Sequence, residues 1–270
     1  MRSSFLIAGL AIAAAVILGL TYYYRVSTEP AGEATEAVAL PPAGAPADQE
    51  RTSTTPVPVM EETPPSPVVR APQLVLPPLN GSDGFVRGRL PATLPPGWIG
   101  KEDLLRRFAV VVENARRGEL PRRQLGFLAP EGKFLVREKA VDGTGEVRLF
   151  IDPAGYRRFD RHLDVLESVP PATLAALLSD AAPLIQQAMQ ELGVADAPSE
   201  QMAVAIDQLL AVPVLEGDVE LIQPKVFYEY ADPALEGLSS LQKQALRMGP
   251  DNVKRLKTYL TTLRAELDKR

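Results

Sequence analysis

The stretch Glu102-Asp-Leu-Leu-Arg-Arg-Phe-Ala-Val-Val-Val-Glu-Asn-Ala-Arg-Arg117 sets Leu104, Leu105, Phe108, Val111, Val112 and Ala115 at i, i+1, i+4, i+7, i+8 and i+11. That spacing gathers them on one face of a helix, an apolar stripe that must pack on another element. Glu102, Asp103 and Glu113 stand four residues before Arg106, Arg107 and Arg117, the favourable order for helix-surface pairs worth about 0.2–0.5 kcal/mol each. The arginine pairs of this helix are therefore expected to be answered locally rather than to form an anion site.

Toward the carboxyl end the helical period recurs. Asp152-Pro153 starts a helix by N-cap and N1 proline, with Tyr156, Phe159, Leu163 and Leu166 as its stripe. Beside that stripe sits His162, read as a surface or half-buried residue. Pro170-Pro171 opens a run that breaks and restarts at Asp180 and Pro183 and ends at Gly193. Residues 198–211 carry Met202, Ala203, Ile206, Leu209 and Leu210 on one side, and Pro213 closes them. After Gly249-Pro250, the residues Val253, Leu256, Leu260, Leu263 and Leu267 form a seam of about two and a half heptads. Such a seam packs on its own domain or joins a second copy, so self-association through these five residues is the second expectation.

Two hairpins are expected between the helices. Lys133 to Arg137 alternates and Val147 to Ile151 is β-rich, with Asp142-Gly143-Thr144-Gly145 between them. Val219 to Ile222 is expected to pair with Val226 to Tyr230 across Gln223-Pro224. The fold class is thus mainly α (α+β), a helical domain with small antiparallel β-hairpin elements.

Toward the amino end, Ser82 or Asp83 is expected to cap a short helix through Leu90, before Pro91, Pro95, Pro96 and Gly97 break the chain. Trp98, the sole tryptophan, reads as a core plug. Residues 26–78 are loaded with Pro, Ala, Thr, Glu and Val, including Pro41-Pro42, Pro56-Val-Pro58, Pro64-Pro65-Ser-Pro67 and Pro77-Pro78. A segment so poor in core-forming residues reads as a disordered Pro-rich tether of polyproline II character. Before it, Phe5 to Tyr24 carries no charge and ends in Tyr22, Tyr23, Tyr24 and Arg25. At about 1.5 Å per residue this run covers roughly 30 Å, the thickness of a bilayer core, and the tyrosines suit the headgroup level. Its length and its tyrosine end argue for an uncleaved anchor rather than a signal peptide.

The layout read from sequence is an anchor at residues 1–25, a linker at 26–78 and a mainly helical domain at 79–270. Between Val26 and Val69 the only basic residue is Arg51, which places the amino terminus in the cytoplasm and the domain outside. In a Gram-negative source that means a single-pass inner-membrane protein with a periplasmic domain.

A net charge of −5 without a large basic patch argues against nucleic acid as a partner. With no cysteine and one histidine, thiolate sites and multi-histidine zinc sites are excluded, and no cofactor is expected. Ser240-Leu-Gln-Lys243 matches the Ser-x-x-Lys of penicillin-recognising enzymes, yet Lys257-Thr258 continues with Tyr259 where that set needs glycine. A helix start at Ser239 or Ser240 explains the match better, and no catalytic residue is assigned. The candidate recognition residues are Arg122 and Arg123 in a Gly- and Pro-bounded loop, and Lys225, Phe227, Tyr228 and Tyr230 around the last expected strand.

The runs Gly118-Glu-Leu-Pro-Arg-Arg-Gln-Leu-Gly-Phe-Leu-Ala-Pro-Glu-Gly132 and Gln223-Pro-Lys-Val-Phe-Tyr-Glu-Tyr-Ala-Asp-Pro-Ala-Leu-Glu236 resemble the bacterial family known as domain of unknown function 3014. The similarity runs from about Leu76 to the end and includes Ala205-Ile-Asp-Gln-Leu-Leu-Ala-Val-Pro213 and Met248-Gly-Pro-Asp-Asn-Val253. The resemblance implies a membrane-tethered envelope protein and supplies no family catalytic residue. Two functions are compatible with these readings: a non-enzymatic adaptor meeting an envelope protein partner, and a periplasmic ligand-binding or hydrolytic domain acting on cell-wall material.

Overall fold

Proline and glycine bound most helices in the computed structural model, which describes residues 74–92, 94–120, 126–141, 143 and 145–270. The apolar run Phe5–Tyr24, the Pro-rich tether through residue 73, the Trp98 side chain and the loop arginines Arg122 and Arg123 lie outside the described residues. In chain order come α1 (Ser82–Arg87), α2 (Pro96–Ile99), α3 (Leu104–Arg116), β1 (Val136–Ala140) and β2 (Val147–Ile151). A 3-10 turn at Pro153–Phe159 leads into α4 (Asp160–Glu167), α5 (Pro171–Asp180), α6 (Ala182–Glu191) and α7 (Pro198–Leu210). Then β3 (Glu220–Ile222), β4 (Glu229–Tyr230), α8 (Pro233–Glu236), α9 (Ser240–Leu246) and α10 (Pro250–Leu267) complete the chain. The described part is mostly helical with one small antiparallel sheet.

The expected stripes are the core. On α3, Leu104, Leu105, Phe108, Val111, Val112 and Ala115 are all buried, and the helix packs on α6 and α7. The last helix lies on α5 and α7, and Val253, Leu256, Leu260 and Leu263 are at most 2% exposed there. These four seam residues are thus covered by their own domain while Leu267 is half-buried; burying each such leucine contributes about 1.5–3 kcal/mol. Among the described residues no helix is long and apolar enough to cross a membrane.

Several local signals act as the sequence suggests. The Asp152 carboxylate accepts from Ala154 N at 2.9 Å, and Ser239 and Gln242 form a reciprocal capping box at the start of α9. Glu113 holds both Arg116 and Arg117. Gly118 ends α3 at φ +72, where a Cβ would stand 2.7 Å from Ser239 Cβ, and its carbonyl accepts from Leu241 N at 3.0 Å. The glycine thereby lets the end of α3 touch the start of α9.

Other expectations are corrected by tertiary contacts. Neither Ser82 nor Asp83 caps α1, which ends at Arg87 rather than Leu90. Arg106 bonds Glu191 of α6 at 2.6 and 2.9 Å and Asp103 at 2.8 Å instead of Glu102, because α6 brings a carboxylate alongside. Arg107 donates to the Glu102 carbonyl at 2.8 Å rather than pairing with Asp103. His162 is buried at 5% exposure with Nε2 2.9 Å from the Leu128 carbonyl oxygen, since the turn Gly126–Leu128 covers that flank of α4.

The sheet order is β1-β2-β3-β4, antiparallel throughout, with Val136 opposite Ile151, Leu149 opposite Leu221 and Leu221 opposite Tyr230. Its first strand begins at Val136, three residues later than the alternation suggests, because Phe134 packs against the core. The fourth is only Glu229–Tyr230. Residues 223–228 form a loop instead of extending it, with Pro224 lacking a donor and Val226 66% exposed.

Candidate functional site

The sheet and the turn after it bring together side chains far apart in sequence. Phe134 stands just before β1, and its ring lies 6.2 Å from that of Tyr228, centroid to centroid, at 50°. Arg158 belongs to the 3-10 turn started by Asp152 and Pro153, and Arg247 is the C-cap residue of α9. The Arg158 guanidinium carbon is 5.8 Å from the Phe134 ring centroid and 4.7 Å from that of Phe159; the Arg247 carbon is 5.2 Å from the Phe134 centroid. Two cations therefore share one aromatic ring. Cation–π attraction of about 0.5–2 kcal/mol favours each contact.

Neither arginine has a carboxylate within 4.0 Å among the described residues. Arg158 Nε is buried without a hydrogen-bond partner. Burial, and then the charge of Arg247, pull the Arg158 guanidinium down to about 10. The carboxylate that feels Arg247, Glu236, is already held by Lys243 Nζ at 2.5 Å and by Tyr230 N at 2.9 Å. Burial alone pushes Glu236 up, and these hydrogen bonds outweigh it, leaving its carboxyl below the usual range.

The sequence-derived candidates separate in space. Lys225 and Phe227 lie on the exposed loop, Phe227 being 40% exposed. Tyr228 is half-buried against Phe134. Tyr230 is a core residue, 3% exposed, whose hydroxyl donates to the Lys243 carbonyl at 3.0 Å; burial pushes that hydroxyl up to about 12. Arg158, Arg247 and Phe134 were not singled out from sequence. The available signal was negative: Ala154 and Lys243 occupy the positions four residues before the two arginines, where the arginines of α3 have acids.

Ser240 and Lys243 point their polar atoms at different partners. The serine hydroxyl donates to the Gly118 carbonyl at 3.3 Å, while the ammonium holds Glu236. Among the described residues no group of three or more His, Asp or Glu side chains is placed to hold a metal ion. A cavity of about 50 Å³ between α3, α7 and α10 is lined by apolar side chains including Phe108, Met202, Ile206 and Leu263, and offers no polar group to orient a ligand.

What the fold and this face define is a mainly helical domain carrying a four-stranded antiparallel sheet, with a basic and aromatic cluster where the sheet meets α9. The family described as protein of unknown function (DUF3014) matches residues 104–264, and the chain belongs to that family. No curated protein and no solved structure matches the chain.

Proposed function

We propose that this chain is a membrane-tethered, non-enzymatic adaptor of the cell envelope. Phe5–Tyr24 is its single span in the inner membrane, residues 26–78 are the tether, and the domain from residue 79 onward meets a protein partner in the periplasm. The loop 223–228 carries the reading. There Val226 is 66% and Phe227 40% exposed, next to Ile222 at 44%, so one hairpin holds three large apolar side chains in water. Covering such a group on association is favourable, and a rim bearing Lys225 suits a partner with acidic edges.

The test is photo-crosslinking in living cells from positions 122, 226 and 228, with mass spectrometry of the adducts. A discrete protein adduct that weakens in Phe227→Ala is the expected result. Absence of protein adducts from a folded, exported domain would overturn the adaptor reading. A second reading, a periplasmic ligand-binding domain, is favoured by the orphaned Arg158 Nε beside two aromatic rings.

A further inference from the structure

We propose that Arg158 and Arg247 form a binding site for a phosphate-class dianion, with Phe134 and Tyr228 as its aromatic wall. The inference rests on the ligand-binding reading and names its ligand chemistry; it needs no protein partner.

The first support is the contrast with nine other described arginines. Arg87, Arg89, Arg106, Arg116, Arg117, Arg137, Arg148, Arg255 and Arg264 each have a carboxylate within 4.0 Å. Arg158 and Arg247 sit on the same ring with none among the described residues. Arg107, Arg157, Arg161 and Arg270 also lack a carboxylate, but of the described arginines without one only Arg158 and Arg247 lie on the same aromatic ring.

The second support is the orphaned donor. A buried N–H without a partner costs about 1–3 kcal/mol, and a half-buried cation near a like charge costs more. Arg158 Nε is such a donor, in a guanidinium already weakened by burial and by Arg247. Local acids do not relieve it, because Glu236 is engaged by Lys243 and by the Tyr230 amide. An incoming oxyanion would relieve both costs at once.

The charge count selects the ligand. Two uncompensated guanidinium groups match a dianion, whereas one carboxylate would leave a net positive charge in a half-apolar setting. A phosphate carries about −1.5 to −2 charges at neutral pH and offers oxygens to the planar fork of arginine. Phe134, its ring centroid 5.8 and 5.2 Å from the two guanidinium carbons, lowers the local polarity around them and strengthens a charged hydrogen bond made there. The same chemistry is presented by free phosphate and by a phosphomonoester lipid headgroup.

The experiment uses the full chain in detergent at fixed ionic strength, titrated calorimetrically with inorganic phosphate and with water-soluble dibutyryl phosphatidic acid, chloride serving as reference. Binding to at least one probe is expected, and the tighter one names the source. Arg247→Gln should weaken it by about tenfold or more, the loss of one charge-assisted contact, while Lys254→Gln leaves it within about twofold. Arg158→Gln should act likewise; if it fails to show the helical circular dichroism of the parent, Arg247→Gln decides alone. Neither probe binding above chloride would overturn the proposal, as would unchanged binding by a folded Arg247→Gln. The adaptor reading fails separately, on absent crosslinks in cells, whatever the titrations give.

Discussion

Asp83 caps a helix to which it does not belong: its Oδ1 accepts from Leu104 N and its Oδ2 from Asp103 N, both at 2.9 Å. Asp103, at the N-cap position of α3, has φ 58 and ψ 44, and its own carboxylate turns to Arg106. A left-handed, non-glycine N-cap leaves the first amides of α3 without a local acceptor, so α1 supplies one. Arg87 fastens the arrangement by donating to the carbonyls of Ile99 and Lys101 at 3.0 and 2.7 Å. We expect Asp83→Ala to lower stability by about 1–2 kcal/mol, seen as an earlier urea midpoint. A loss in Asp83→Ala no greater than in Asp103→Ala would contradict this assignment of the cap.

Gly249 precedes α10 at φ +81, and a Cβ there would stand 2.4 Å from Tyr156 Cγ. Alanine would both strain the backbone and push the ring aside. Gly249→Ala should therefore cost about 2 kcal/mol or more, read from thermal unfolding. Gly84, inside α1 with nothing within 4 Å of an added Cβ, predicts the opposite sign. Gly84→Ala should gain about 0.5–1 kcal/mol.

His162 lends stability a pH dependence of definite sign. Burial first, with the charge of Arg161, lowers its imidazole below the usual value, outweighing the bonds to backbone carbonyls. The folded state thus holds the ring neutral, and the unfolded chain takes the proton more readily. Its contribution is full above the unfolded value of about 6.5 and is lost as pH falls through the folded one, by at most about 1.4 kcal/mol per pH unit. Urea midpoints at pH 7.5 and 5.5 should differ more in the parent than in His162→Phe; equal differences would remove His162 from this role.

Glu113 joins Arg116 and Arg117 from a buried position, 8% exposed, with Arg116 Nε and Nη2 each at 3.0 Å. The hydrogen bond from Arg116, then that from Arg117, holds its carboxyl below the usual range against the opposing effect of burial. Its contribution is present above the unfolded value of about 4.3 and lost as pH falls through the folded one. Because Arg117 is half-exposed and solvent-screened, Glu113→Gln should cost only about 1 kcal/mol at neutral pH, less below pH 4. Chemical denaturation at the two pH values checks both halves.

The sequence by itself determined the helices that build the core. The stripe from Leu104 to Ala115, the proline starts at Pro171, Pro198 and Pro250, and the Ser239 cap depend on residues within one or two turns of each other, so period and boundary are written locally. Tertiary structure alone decided that Asp83 caps α3, that Arg106 reaches Glu191 and how late β4 begins, because those contacts join residues on different elements. The Arg158, Arg247 and Phe134 cluster belongs to the same class. Its chemistry comes from three side chains that share no helix or strand, and only the packing of the 3-10 turn, α9 and the sheet puts two cations on one ring without an acid between them.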